Sequence, residues 1–229
     1  MMARSKTVIK NYWEKNVKEF AGFYDKNSEE HIKGNQGFRY LYKKFIFPIE
    51  KIFMLKRYNI VSDYIEKNVR LGMKVADIGC GNGIFTKKMA GKKAKVYALD
   101  YTQSALNLTK NNLTLEESKS VELIKLDITS EHIPFVDLAI SIGVLPYVYE
   151  LDIFFDNILP FTSSFLFNYL DSNHPINIVR RIMPILDVRN YCYHNRKNIK
   201  NKLEVRNFKI NFEQNLATGF IVSSKKNIF

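Results

Sequence analysis

Two cysteines in 229 residues, Cys80 and Cys192, are too few for a disulfide framework, and neither belongs to a Cys/His cluster with zinc spacing. The expected setting is therefore reducing and cytoplasmic, and no metal site is expected. Nothing in the chain approaches the roughly 18 to 20 uninterrupted apolar residues of a membrane-spanning helix. The start, Met1-Met2-Ala3-Arg4-Ser5-Lys6 running into Asn11-Tyr12-Trp13-Glu14-Lys15, lacks the apolar stretch of a signal peptide. With six prolines and ten glycines there is no Pro/Gly/Ser-rich linker to part independent domains, and no internal repeat. Acidic residues are scarce: 23 against 35 Lys plus Arg, a net charge of +12. Such a surface attracts phosphates, nucleic acid or acidic lipid headgroups without choosing among them.

What is present is a hydrophobic fraction of 46%, enough for a substantial core in one domain, and an uneven distribution of charge. Residues 1–70 carry 15 basic and 8 acidic side chains, residues 71–170 carry 9 and 11, and residues 171–229 carry 11 and 4. The flanks hold the whole excess. The nearly neutral centre alternates short apolar runs with helix-compatible stretches. Strands are expected at 73–78, 94–100, 121–126, 135–142 and 164–169, with helices at 83–90, 103–113 and 150–158. That alternation predicts an α/β fold, a Rossmann-like doubly wound and mostly parallel sheet. The tail, with alternation over 204–214 and again over 217–224, predicts an antiparallel pair that brings the sheet to seven strands. Residues 1–70 read as a helical N-terminal cap, with Tyr40, Phe45, Ile46, Ile49, Ile52, Phe53 and Met54 forming an apolar surface interrupted at Pro48. The expected single domain thus comprises the cap, a core at 71–170, a basic insertion or lid at 171–203 and closing strands at 204–229.

The sharpest feature is Asp77-Ile78-Gly79-Cys80-Gly81-Asn82-Gly83, placed where the first strand turns into the first central helix. Glycines there allow close backbone approach to a ligand and dihedrals closed to other residues. A dinucleotide turn needs Gly-x-Gly-x-x-Gly beneath a pyrophosphate, whereas here Ile84 falls at the third glycine's place. A carboxylate at Asp77 would repel a pyrophosphate but accept hydrogen bonds from a cationic, amino-acid-like group. Cys80 reads as a small space-filler within the turn. Further along, Asp100 ends the second strand, Asp127 stands in Leu126-Asp127-Ile128 after the third, and the fourth reads Phe135-Val136-Asp137-Leu138-Ala139-Ile140-Ser141.

These four motifs, in this order, resemble the class I S-adenosylmethionine-dependent methyltransferases over roughly residues 70–170. The resemblance implies S-adenosyl-L-methionine as cofactor, held by Asp77, Gly79, Gly81 and Gly83. It implies that Asp100 takes the ribose hydroxyls and that Asp127 and Ile128 border the adenine, with Tyr101 against its face. The end of the fourth-strand motif, at Ser141, then borders the methyl donor and acceptor. Tyr24 resembles the N-terminal aromatic that closes over the cofactor in relatives, and Arg57 is placed to reach the methionine carboxylate. The continuation Ser141-Ile142-Gly143-Val144-Leu145-Pro146-Tyr147 looks like the ubiquinone-biosynthesis and related small-molecule branch, which acts mostly on oxygen. It shares Pro-Tyr with the Asn-x-Pro-Tyr of RNA adenine enzymes but lacks the Asn, so RNA methylation through the basic flanks stands as the alternative.

Methyl transfer requires the nucleophile near ~3 Å from the methyl and a proton acceptor where one is in the way. The candidates are His174, just after the fifth strand, then His194 and Tyr147. The insertion also carries Arg180, Arg181, Arg189, Arg196 and Lys197, from which an acidic acceptor is expected, phosphorylated or carboxylated and small. A weaker expectation is membrane-surface association through Tyr40 to Arg57, where Lys residues interleave with bulky apolar ones.

Overall fold

The structure, a computed structural model, describes residues 11–14, 17, 47–182 and 191–227. Seven strands form one sheet: β1 (Lys74–Ile78), β2 (Lys95–Asp100), β3 (Val121–Lys125), β4 (Val136–Ser141), β5 (Thr162–Leu170), β6 (Phe208–Leu216) and β7 (Gly219–Lys226). Their order is β3-β2-β1-β4-β5-β7-β6; the first five run parallel, and β7 lies antiparallel to both β5 and β6. Because the chain winds outward from β1 in both directions, the strand order reverses between β1 and β4. A crevice opens at the carboxyl ends of such strands.

The central strands are apolar runs because both of their faces are covered. On one face, α1 (Phe47–Asn68) and α2 (Ile84–Gly91) bury Val61, Tyr64, Ile65, Phe85 and Met89 against Val75, Val96, Leu138, Ile140 and Leu166. Beside α2 lies α3 (Gln103–Asn112), followed by the single turn α4 (Leu115–Ser118), closed by a reciprocal capping box between Thr114 and Glu117. On the other face, α5 (Leu151–Asp156) and α7 (Arg196–Glu204) bury Phe154, Phe155, Ile199 and Leu203 against Ala76, Leu99, Ala139, Phe165 and Phe167. Lys202 and Arg206 reach across to Asp152, and Arg206 to Asp156, fastening the end of α7 to α5. The hairpin between β6 and β7 turns at Ala217, with φ of 48°. Gly219 follows because β5 runs too close for any side chain: a Cβ there would stand 1.9 Å from the Tyr169 carbonyl oxygen.

The architecture departs from the sequence reading at the start of the sixth strand and along α1. Residues 204–207 do not begin the sixth strand: Glu204 ends α7, whose Asn195 side chain accepts from the Lys197 amide at 2.8 Å. Apolar alternation starts at Phe208, and α7 has only Ile199 and Leu203 buried, too sparse a signal to announce a helix. Pro48 sits in the first turn of α1, where its missing N–H is not needed, and the residues before Phe47 on the other side of the expected interruption lie outside the described residues. The insertion contains α6 (Pro175–Ile182) and α7, and residues 191–194 thread back into the fold. Of the proposed apolar surface, Tyr40, Phe45 and Ile46 lie outside the described residues, Ile52 and Phe53 are exposed, and the packing is done by Ile60, Val61, Tyr64 and Ile65 further along α1 and by Val69 just beyond it. Among the described residues no helix is long and apolar enough to cross a membrane.

Candidate functional site

The glycine turn leaves β1 at the strand-order reversal with Gly79, Gly81 and Gly83 all at positive φ (70°, 58° and 74°). It is laced to its neighbours on each side. The Gly79 and Cys80 amides donate to the Leu99 carbonyl, at 2.7 and 3.1 Å. Thr109 of α3 donates to the Gly81 carbonyl at 3.1 Å, and Asn112 donates to that of Asn82 at 2.7 Å. Two of the glycines are required on packing grounds also. A Cβ on Gly83 would lie 2.7 Å from Thr109 Cγ2, and one on Gly79 would lie 2.3 Å from Val144 Cγ2. Cys80 is buried beside Thr109, and burial pushes its thiol well above the usual range, as suits a space-filler.

Beneath the turn, Asp77 is 3% exposed and accepts a 2.5 Å hydrogen bond from Thr86 Oγ1 of α2. Burial raises its pKa to about 6 against the opposing effect of that bond. Across the turn, Asp100 Oδ1 holds the Thr102 amide and hydroxyl at 2.9 and 2.8 Å, while Oδ2 receives only a long 3.3 Å bond from the Gly81 amide. One carboxylate oxygen is thus fixed and the other is left with acceptor capacity. Asp127 Oδ1 similarly closes its own turn, accepting from the Thr129 amide and hydroxyl. Ile128 is a core residue, and its carbonyl is taken by Asn157 at 2.9 Å.

Tyr101 is half-buried between these acids. Its phenol is pushed upward, first by burial and then by the charges of Asp100, Asp127 and Glu14, and its hydroxyl finds no partner among the described residues. Glu14 also accepts from the Ser104 amide at the start of α3, at 3.2 Å. Its neighbour Trp13 packs edge-on against Tyr147 at 5.1 Å, and Tyr147 meets Tyr191 at 5.5 Å. The short N-terminal stretch therefore spans the carboxyl edge from the end of β2 to the turn beyond β4. Trp13 and Glu14 were not among the residues singled out from the sequence; the chain's sole tryptophan, embedded in a polar segment, was the available signal. Tyr24 lies outside the described residues.

On the opposite side of the reversal, Ser141 is fully buried, with its hydroxyl unpartnered among the described residues. Two residues on, Gly143 turns at φ of 87°, its amide donating to Asn168 Oδ1 at 2.6 Å. Arg57 of α1 stands above, its Nη1 3.6 Å from where a Gly143 Cβ would be. The three proton-accepting candidates separate. His194 is a packing residue: 7% exposed, with Nε2 3.4 Å from the Leu145 carbonyl, and its pKa is lowered by burial. It belongs to a parallel bridge with Asp171, next to Cys192, whose amide donates to Pro146. His174 caps α6, its Nδ1 accepting from the Ile176 amide at 3.3 Å, which places the proton of a neutral ring on Nε2. Tyr147 lies in the aromatic cluster. Of the basic insertion, Arg196 is engaged by Glu213 on β6, and Arg189 lies outside the described residues.

Four carboxylates at one edge of a protein with a net charge of +12, around a backbone turn open to close approach, suit a ligand with hydroxyls and a positive centre. They do not suit a pyrophosphate. The fold and this site together define a nucleoside-binding α/β protein of the doubly wound class. Residues 70–182 match a family described as a methyltransferase domain. The chain is 27% identical over 139 residues to a ubiquinone biosynthesis O-methyltransferase from Hahella chejuensis, covering 52% of this chain and 58% of that protein. It is 41% identical over 51 residues to a probable cobalt-precorrin-6B C(15)-methyltransferase from Methanocaldococcus jannaschii, covering 22% of this chain and 28% of that protein. The chain therefore spans between a quarter and three fifths of these relatives' lengths. The crystal structure of magnesium protoporphyrin IX methyltransferase from Synechocystis with bound S-adenosylhomocysteine has the same fold, with a TM-score of 0.76 at 14% identity over 97% of this chain and 100% of that one. Residues 70–182 belong to the class I S-adenosylmethionine-dependent methyltransferases.

Proposed function

We propose that the protein transfers a methyl group from S-adenosylmethionine to an oxygen of a small molecule that carries a phosphate or carboxylate. The observation that carries this reading is the positive-φ glycine turn, which leaves β1 beside the strand-order reversal, facing the partly satisfied carboxylate of Asp100 at the end of β2. S-adenosylmethionine, when bound, supplies a methyl on a sulfonium centre, activated without a metal. The glycine turn gives the amino-acid half close backbone approach, Asp77 holds negative charge beneath it, and Asp100 Oδ2 accepts from ribose hydroxyls. Asp127 and Tyr101 bound the adenine side. Trp13 and Tyr147 wall the acceptor side and exclude water there.

His174 acts on the acceptor as a hydrogen-bond donor through Nε2, because its Nδ1 is committed to the α6 cap. That role suits an acidic acceptor whose oxygen is already ionised and needs no base. The positive excess of residues 171–229 favours the same class of acceptor. Calorimetric titration with S-adenosylhomocysteine and, separately, NAD tests the cofactor half: micromolar binding of the former alone is expected, and binding of NAD instead would overturn it. Transfer of labelled methyl to a panel of phosphorylated sugars and small carboxylates, set beside neutral analogues, tests the acceptor half. Preference for the neutral analogues would refute the acidic acceptor.

A further inference from the structure

The fifth strand carries an anomaly. In the buried run Phe165-Leu166-Phe167-Asn168-Tyr169 one residue is an amide, and Asn168 is only 5% exposed. A buried amide side chain is costly unless its hydrogen-bonding groups are satisfied. Asn168 satisfies one side: Oδ1 accepts from the Gly143 amide at 2.6 Å. Its Nδ2, with two donors, makes no hydrogen bond with any described residue.

The place where these donors sit is defined by what Gly143 touches. Arg57 Nη1 lies 3.6 Å from the Gly143 Cβ position, so the guanidinium and the Asn168 amide flank one residue. The next residue, Val144, packs its Cγ2 against Gly79, the first glycine of the turn. A guanidinium and an amide with an unengaged donor thus both lie against Gly143, one residue from the side chain that packs on the start of the glycine turn.

We propose that Asn168 is a cofactor-binding residue, donating through Nδ2 to the carboxylate of the amino-acid end while Arg57 neutralises the charge. The inference rests on the cofactor assignment above and adds to it a contact from the fifth strand. A single side chain then does two things: its oxygen fixes the turn that follows β4, and its nitrogen reads the ligand. A planar, charge-assisted pair of this kind is selective for an oxyanion and indifferent to the adenosine half.

The test compares two ligands, S-adenosylhomocysteine, which has the carboxylate, and 5′-methylthioadenosine, which lacks the amino-acid end. Affinities of the wild type, Asn168→Asp and Asn168→Ala are measured by calorimetry, with urea unfolding followed through Trp13 emission to verify that each variant is folded. Asn168→Asp keeps an oxygen for the Gly143 amide and replaces the donor with a negative charge. It is expected to weaken S-adenosylhomocysteine roughly tenfold or more and to leave 5′-methylthioadenosine unchanged. Asn168→Ala, should the acidic variant fold poorly, is expected to show the same selectivity with a smaller loss. Equal losses for both ligands would show that Asn168 serves only the turn, and no loss for either would show that it serves neither; each result overturns the proposal. Wild-type protein that bound neither ligand would overturn the cofactor assignment as well.

Discussion

Replacing Asp77 by Asn should make the ligand-free protein more stable at neutral pH while weakening its hold on the cofactor. Asp77 is 3% exposed, and its carboxyl, with Thr86 as hydrogen-bond partner, is raised by burial from an ordinary 3.8 to about 6. An acid that holds its proton more tightly in the folded than in the unfolded chain stabilises the fold while protonated. It loses that contribution as pH rises from about 4 to about 6. Ionisation of Asp77 therefore penalises the fold by less than about 1 kcal/mol at pH 4 and by about 3 kcal/mol at pH 7.5. Asn keeps the volume and an oxygen for Thr86 but never ionises. In a chain of this size the gain at pH 7.5 corresponds to a rise in melting temperature of roughly 6 to 12 °C. Thermal unfolding of both proteins from pH 4 to 8, followed by circular dichroism, should show curves that nearly meet at pH 4 and diverge toward pH 6. A variant no more stable than wild type at pH 7.5, or a gap that does not change with pH, would refute the argument. Affinity for S-adenosylhomocysteine, measured in parallel, should fall in the stabilised variant, because the negative charge beneath the turn is gone.

Four further substitutions have expected outcomes. Asp100→Ala removes a charge-assisted acceptor and should weaken S-adenosylhomocysteine by roughly 1.5 to 3 kcal/mol in calorimetry, unchanged affinity placing the ribose elsewhere. Gly83→Ala combines φ of 74° with a Cβ 2.7 Å from Thr109 Cγ2, and should destabilise the protein by about 1 to 3 kcal/mol in urea unfolding. If it unfolds like the wild type, α3 is not held against the turn as described. His194→Ala should lower the melting temperature through a cavity beneath the Leu145 turn, whereas His174→Ala should lower turnover on an acidic acceptor with the cofactor affinity retained. The reverse pattern would exchange the roles assigned to the two rings.

The sequence by itself determined the elements whose cause is local or periodic. The central strands are apolar because both their faces are covered, so runs such as Val75 to Ile78 and Val136 to Ser141 were legible within a residue or two. The glycine turn was legible because close approach and positive φ demand a residue type. Asp77, Asp100 and Asp127 could be placed from their positions after successive strands, since parallel strands deliver their carboxyl ends to one edge. Helix α7 was missed because only Ile199 and Leu203 face the core, the remaining stability coming from a cap and from ion pairs to α5 that no periodicity announces.

Only the tertiary structure decided which side chains meet. Nothing along the chain says that Trp13 and Glu14 reach the loops beyond β4 and β2, at least ninety positions further along. Nor does it say that Asn168 would find the Gly143 amide under Arg57. The two histidines make the point most plainly. Both follow β5 in sequence, and both carry the same imidazole. A bridge beside Asp171 buries His194 against the Leu145 carbonyl, while His174 caps a helix at the edge of the sheet. Residue type fixes what chemistry a side chain can do; burial and hydrogen-bond partners, set by long-range packing, fix which of those options it keeps.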